Sequence, residues 1–251
     1  MKKATFVLSF VLTFIFSTSC ENTNDNLRTE TLSKKTNSEF KLQGQKAFIN
    51  PNMYGEYHNE AILLYSQTYI SKGSHLSNSS FEQVLKDMLT LMKEKHPHEF
   101  LNVKIDLVAP YFKEYQSSLD YNFKSFWTAN KISFKDSSMI SNQIIHFIDD
   151  IILNDLDYGE IISKITTLEK ENKLKQEDIK FLIGFKSVLN SSNDLWAVKE
   201  NSLYNTRRNW CNHQLIISDA AAAGLFLWSG PIAAIAGAAS SLITASTGDC
   251  N

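Results

Sequence analysis

The sequence has few turn-forming residues and none of the alternating apolar runs that a β-sheet requires. Its 251 residues include only four prolines and nine glycines. Apolar residues recur instead at spacings of three and four, which is the pattern of an amphipathic helix. We therefore expect an all-α protein in which about four or five amphipathic helices pack as a bundle.

The motifs of several enzyme classes are absent from the sequence. It contains no Gly-rich phosphate loop, no Gly-x-Ser-x-Gly elbow and no His-Glu-x-x-His pair. The formal net charge is −2, and no basic stripe favours a nucleic-acid partner. We predict no metal and no cofactor. An acid/base enzyme that draws its residues from distant places stays open as an alternative.

The first residues read as an export signal. Two lysines precede an uncharged apolar run over 4–16, which is too short to span a membrane and typical of a signal peptide. Small residues lead directly into Cys20, as a lipoprotein signal peptidase requires. We predict a lipoprotein signal over 1–19, an acylated Cys20 and a disordered polar tether over 20–45. An ordinary secretory signal with an incidental cysteine is the alternative.

Residues 46–205 are predicted to form one helical bundle domain. The clearest helix follows Ser80, with Gln83 completing a capping box and Pro97 ending the segment. The polar run 190–194 is predicted to end the last helix. Other helices are expected over 56–71, from Ser137 or Ser138 through Ile152, over 158–172 and over 175–190.

Residues 206–251 carry the most informative pattern. No charged side chain occurs from Ala220 to Gly248, and most of these residues are Ala, Gly, Ser or Thr. Ser229-Gly230-Pro231 divides the stretch, because Gly ends helices and Pro begins them. A stripe of small residues at four-residue spacing would let two helix backbones approach closely; it consists of Ala233, Gly237, Ser241 and Ala245. We predict a small-residue helical hairpin.

Two cysteines flank this hairpin. In an oxidising compartment Cys211 and Cys250 are expected to form a disulfide, which requires their Cα atoms to lie within about 7 Å. A single straight membrane span would keep them apart, so the disulfide and the hairpin support each other. Whether the hairpin packs on the bundle or enters lipid stays open at this point.

The stretch 50–60 concentrates polar side chains near a helix start. His58 and Glu60 could form an acid/base pair, but two residues apart on a helix they point in different directions. The favoured interpretation is that His58 and Asn59 hydrogen-bond the loop back onto the bundle.

Two further polar groups are interpreted as structural. His96 and His98 flank a proline and lack further ligands at metal-site spacing, so we expect a solvated helix end. The acidic residues over 149–160 do not match the spacing of a calcium loop. They are interpreted as a helix end, a turn and a helix start.

Three short motifs give the chain a resemblance to a family of exported Bacteroidetes proteins with no assigned activity. The match covers about residues 48–247, and the family implies no catalytic residues. The motifs are Asn50-Pro51 with Gly55-x-x-His58-Asn59, then Ser192-x-x-x-Trp196, then Trp210 followed by Asp219 and the Ala/Gly-rich tail.

These observations favour a lipid-anchored protein of the cell envelope (outer membrane, periplasmic or surface-exposed) that acts as a non-enzymatic interaction or membrane-associating module. Its partners would be the membrane and an unidentified protein, contacted through aromatic residues: Trp210, Phe226 and Trp228. One alternative is a toxin-like or bacteriocin-like effector whose hydrophobic tail is the membrane-active part. Arg207-Arg208 would then be a processing site, or otherwise a cationic helix end. The second alternative is an acid/base enzyme that uses His58.

Overall fold

The computed structural model describes part of the chain, and these residues lie in one compact unit. The described ranges are 50–73, 76–117, 120–136, 140–154, 156–171, 174–197 and 209–247. Within them the chain forms nine α-helices and no strand. The prediction of an all-α bundle is confirmed, with more helices than the sequence suggested.

The α-helices are joined by short turns and by single turns of 3-10 helix. In chain order they are α1 (Tyr54–Thr68), α2 (Phe81–Lys95), α3 (Pro97–Phe100), α4 (Phe123–Asp136), α5 (Asn142–Leu153), α6 (Tyr158–Lys170), α7 (Gln176–Ala197), α8 (Asn209–Leu225) and α9 (Ile232–Thr247).

The helical hairpin of α8 and α9 is the centre of the bundle. Every side chain from Leu215 to Ala245 is buried except that of Trp228. Helix α7 packs along α8, and α1 lies against both α7 and α9. Helix α2 covers α9 from another side. The least charged part of the sequence therefore fills the core, and the amphipathic helices surround it.

The turn of the hairpin forms where the sequence predicts it. Helix α8 ends at Leu225, a 3-10 turn covers Leu227–Ser229, and Gly230 has φ = 80°. A positive φ is strained for residues with a Cβ atom, which explains the glycine. Pro231 then precedes the first residue of α9, where its fixed φ suits a helix start.

Two helix starts show how local chemistry fixes the boundaries. Ser80 accepts a hydrogen bond from the backbone N–H of Gln83 at 3.2 Å, as predicted, whereas the Gln83 side chain donates to Asp87. The reciprocal capping box lies at α6 instead. There Asp157 accepts from the Glu160 N–H, and Glu160 accepts from the Asp157 N–H.

Two predicted boundaries are wrong. Helix α5 starts at Asn142 rather than after Ser137 or Ser138, because Ser141 caps it and the buried carboxylate of Asp178 accepts the Ser141 N–H at 2.9 Å. Helix α7 continues through the polar run 190–194 to Ala197. The serines of that run face other helices inside the bundle, so tertiary contacts outweigh their weak helix propensity.

Helix α4, which was not predicted from the sequence, contributes several residues to the aromatic core. Phe112, Phe126, Phe134 and Phe226 pack together, with ring centroids 4.8 to 6.5 Å apart. Phe226 belongs to the hairpin turn. This aromatic group therefore fixes the end of the hairpin in the bundle.

Candidate functional site

Five residues from three helices converge beside the hairpin, and we call them the Asp219 cluster. His58 and Asn59 come from α1, Ser192 and Trp196 from α7, and Asp219 from α8. His58, Ser192 and Asp219 are completely buried, Trp196 is nearly so, and Asn59 is half-buried.

The carboxylate of Asp219 is the centre of this cluster. Its Oδ2 atom accepts hydrogen bonds from the Ser192 hydroxyl and from Trp196 Nε1, the latter at 3.2 Å. His58 Nε2 lies 3.3 Å from the same oxygen, in an ion-pair contact rather than a well-directed hydrogen bond. Side chains of α1 and α7 therefore meet at one carboxylate oxygen of α8.

The orientation of Asn59 fixes which ring nitrogen of His58 donates to it. The Asn59 side chain donates through Nδ2 to the Ser191 carbonyl at 2.7 Å, so its Oδ1 faces His58. His58 Nδ1 lies 2.8 Å from that oxygen and must donate to it. Nε2 faces the Asp219 carboxylate at 3.3 Å. Both ring nitrogens of His58 therefore lie against oxygen atoms of neighbouring side chains.

Two glycines allow the helices to approach the cluster closely. A Cβ atom on Gly237 of α9 would lie 2.7 Å from the Asp219 carbonyl oxygen and 3.3 Å from His58 Cδ2. A Cβ atom on Gly55 of α1 would lie 2.3 Å from the Ser187 carbonyl oxygen of α7. The small-residue stripe of α9 therefore serves, at Gly237, for close packing inside the protein.

The turn before α1 is tied to the same helix pair. Asn50 Oδ1 accepts the Asn52 N–H at 3.1 Å, and the Ser187 hydroxyl donates to the Asn52 carbonyl at 2.8 Å. The Gly55 N–H donates to Ser187 Oγ at 3.0 Å. These contacts set the register of α1 against α7 and so place His58 opposite Asp219.

The cluster does not have the geometry of a catalytic triad. Ser192 and His58 both contact the carboxylate, so the imidazole is not placed to accept the serine proton. In addition, His58, Ser192 and Asp219 present no surface to solvent in this conformation. The arrangement can hold helices together through polar contacts and hydrogen bonds.

Glu60 and His96, from two other candidate sites, form a pair with each other, whereas His98 is exposed. Glu60 pairs with His96 at 2.5 Å, and Tyr57 packs edge-on against the His96 ring. His58 and Glu60 therefore lie in different environments. Among the residues that the structure describes, no group of three His, Cys, Asp or Glu side chains is placed to hold a metal ion.

The acidic stretch is likewise held by local contacts. Asp149 accepts from Trp127 Nε1 at 2.7 Å. Asp150 pairs with Lys164 across α5 and α6, and this contact lowers the pKa of the Asp150 carboxyl. Asp157 caps α6.

The predicted aromatic contacts have separate outcomes. Phe226, predicted as a membrane or partner contact, is buried at 0% exposure in the aromatic core in this conformation. Trp228 is exposed at the hairpin turn, at 37%. Trp210 and Cys211 belong to the first turn of α8, and their side chains lie outside the described residues. Five further predictions also fall on residues outside this description: the signal peptide over 1–19, acylation at Cys20, the tether over 20–45, the partner cysteine Cys250 and processing at Arg207-Arg208.

Comparison of the chain with protein-family models, curated proteins and solved structures finds no match. The site is therefore interpreted from its own geometry.

The pairing of His58 with Asp219 was not predicted from residue types alone. One signal could have revealed it, since Asp219 is the single Asp, Glu, Lys or Arg between Arg208 and Asp249. A lone carboxylate in such a stretch requires a buried partner.

Proposed function

We propose that the protein is a lipid-anchored component of the cell envelope, without catalytic activity, whose C-terminal hairpin associates with a membrane. The observation that carries this proposal is the position of the hairpin. The described residues of its two helices include a single carboxylate, that of Asp219. These helices fill the core, and amphipathic helices cover them. Such an arrangement keeps an apolar helix pair out of water until the surrounding helices separate.

The lengths of the two helices favour entry into lipid from one side. Helix α8 has 17 residues and α9 has 16, which correspond to about 25 Å and about 24 Å at 1.5 Å per residue. Both are shorter than a hydrocarbon core of about 30 Å. None of the described helices is long and apolar enough to cross a membrane. We therefore propose a hairpin that enters with both ends on the same face.

Acylation of Cys20 would support this association. A chain tethered to the bilayer holds its hairpin at a high effective concentration beside the lipid. Weak insertion of a segment rich in Ala and Gly would then suffice. The proposed location is the cell envelope, and the proposed partner is the lipid surface.

We also propose that the chain belongs to the exported Bacteroidetes family that its motifs resemble. This proposal is supported by the positions of the motif residues, because residues from all three motifs lie close together in the fold: Gly55, His58, Asn59, Ser192, Trp196 and Asp219.

Point variants, rather than deletion of the hairpin, test the membrane proposal. Removing residues 209–251 would remove the core and unfold the bundle. In the chain without its acyl group, Trp228→Ser should weaken flotation with vesicles of phosphatidylethanolamine and phosphatidylglycerol, because aromatic residues at the turn favour the interface. The matched control is Leu153→Ser, at a residue 68% exposed at the end of α5. Equal flotation of both variants and the unaltered chain would reject the role of the turn.

A toxin-like effector is the second candidate, and the same buried hairpin favours it. An effector must stay folded in water until it reaches its target membrane. Dye leakage separates the two functions. An effector releases dye from the vesicles to which it binds, whereas an associating module binds and leaves them sealed.

A further inference from the structure

Asp219 is the one carboxylate in the described hairpin, and it contacts side chains of two other helices of the bundle. Its Oδ2 atom meets His58 of α1, and Ser192 and Trp196 of α7. Helix α9 has a different attachment, in which Ser240 and the hydroxyl of Tyr121 share a hydrogen bond of 2.6 Å. Both partners in that second contact are neutral at physiological pH.

The same carboxylate opposes entry of the hairpin into lipid. A buried ion pair that loses one partner leaves an uncompensated charge, which is strongly unfavourable. A carboxylate in the hydrocarbon core is unfavourable for the same reason. The carboxylate of Asp219 therefore disfavours both the departure of the hairpin from the bundle and its entry into the bilayer. Both steps become more favourable when this carboxylate is replaced by a neutral side chain.

We infer that Asp219 is a latch that retains the hairpin inside the bundle. Its attachment to α1 and α7 closes the bundle over α8, and Gly237 brings α9 against the same point. The retention of the hairpin stands on these contacts alone. The consequence for lipid rests on the proposed membrane function.

The test compares the full acylated chain with its Asp219→Asn variant. Hydrogen exchange of the backbone amides, measured by mass spectrometry, reports how often each helix opens. Asparagine keeps the shape and an acceptor for Ser192 and Trp196 but removes the charge that faces His58. We expect amides of α8 and α9 to exchange at least about tenfold faster in the variant, because the hairpin opens locally. Amides of α5 and α6 should be little changed.

Asp178→Asn is the matched control. Asp178 is also a completely buried carboxylate, and it accepts the N–H groups of Ser141 and Lys175 away from the hairpin. Its replacement should accelerate exchange at the starts of α5 and α7 and spare α9. Uniform acceleration of all helices by Asp219→Asn would overturn the latch, because Asp219 would then stabilise the whole fold without a specific hold on the hairpin.

A second arm adds vesicles of phosphatidylethanolamine and phosphatidylglycerol. The latch predicts that lipid restores protection to α8 and α9 in Asp219→Asn more than in the unaltered chain. Local opening in water without any response to lipid would support the latch and reject the membrane function. Equal entry of both chains into lipid, with equal exchange of α8 and α9 in water, would reject the latch and support the membrane function.

Ser192→Ala covers the case in which Asp219→Asn does not fold. It removes one hydrogen bond to the carboxylate and should give a smaller acceleration in α8 and α9, with α5 and α6 little changed. Equal acceleration of α5 and α6 in this variant would contradict the latch.

Discussion

His58 Nε2 lies 3.3 Å from Asp219 Oδ2, and both side chains are completely buried. The contact joins the first described α-helix to the hairpin near the other end of the sequence. A buried polar contact of this kind adds specificity to the packing of otherwise smooth small-residue helices. We propose that it fixes which face of α8 meets α1 and α7.

Replacement of His58 by alanine should lower the free energy of unfolding by about 3–5 kcal/mol, because the buried carboxylate of Asp219 loses its partner on α1. Urea unfolding followed by circular dichroism measures the loss. The control is His96→Ala, which breaks the partly exposed pair with Glu60 and should cost up to about 1 kcal/mol. Equal losses of stability in the two variants would mean that the buried contact contributes no more to the free energy of unfolding than the partly exposed one.

Gly237→Ala should lower the free energy of unfolding by about 1–3 kcal/mol through overpacking. The added methyl group would meet the backbone carbonyl of Asp219 at 2.7 Å, and backbone cannot move aside cheaply. Gly159→Ala is the control, since its Cβ would have only an ordinary contact of 3.4 Å with the Asp157 side chain. Thermal unfolding of both variants compares them, and a fully stable Gly237→Ala protein would contradict the close approach of α9.

Tyr121 should make the fold sensitive to alkali. Burial raises the pKa of Tyr121 well above its ordinary value of 10.0, although the hydrogen bond with Ser240 acts in the opposite direction. The folded state therefore keeps the phenol proton when the unfolded chain loses it. Stability from this group is complete below pH 10 and falls as pH rises further. Tyr65 adds to the trend, because burial raises its pKa to about 12.

Tyr121→Phe separates these effects. Near neutral pH the variant should be about 1 kcal/mol less stable, because the hydrogen bond with Ser240 is lost. By about pH 11 the difference should shrink, since the variant no longer has this phenol to ionise on unfolding. Urea unfolding at both pH values measures it, with Tyr69→Phe as a more exposed control. A difference that is constant or grows with pH would contradict the assignment.

Intact mass before and after reduction tests the two predictions about cysteine chemistry. We expect the mature chain to begin at an acylated Cys20 and to gain two hydrogens on reduction, as the pair Cys211 and Cys250 opens. A chain that starts elsewhere, or that has the same mass after reduction, would reject the corresponding prediction.

The helical pattern could be predicted wherever local chemistry decides the outcome. The repeat of apolar residues and Ser80 located α2, and Gly230 with Pro231 located the hairpin turn. The prediction from local polarity was wrong where tertiary contacts determine the secondary structure. The run 190–194 has the composition of a loop, but its serine side chains and carbonyls bind Asn59 and Asp219, so it stays helical.

The candidate site could be predicted only in part. His58 and Asn59 were identified from their dense polar neighbourhood, whereas their partners lie far away in sequence on helices whose relative register no local pattern sets. The tail was ambiguous for the same reason. Small residues suit close packing in lipid and in a protein core equally well, and only the contacts of α9 with α1, α2 and α8 decide for the core in this conformation.

The most direct test of the membrane proposal is photolabelling of the full acylated chain in vesicles, with a carbene precursor placed in the lipid chains and labelled residues mapped by mass spectrometry. The proposal predicts label within residues 220–247, with stronger labelling in Asp219→Asn than in the unaltered chain. Label confined to the acylated N-terminus in both chains would contradict it, and would leave the hairpin with a role in the protein core alone.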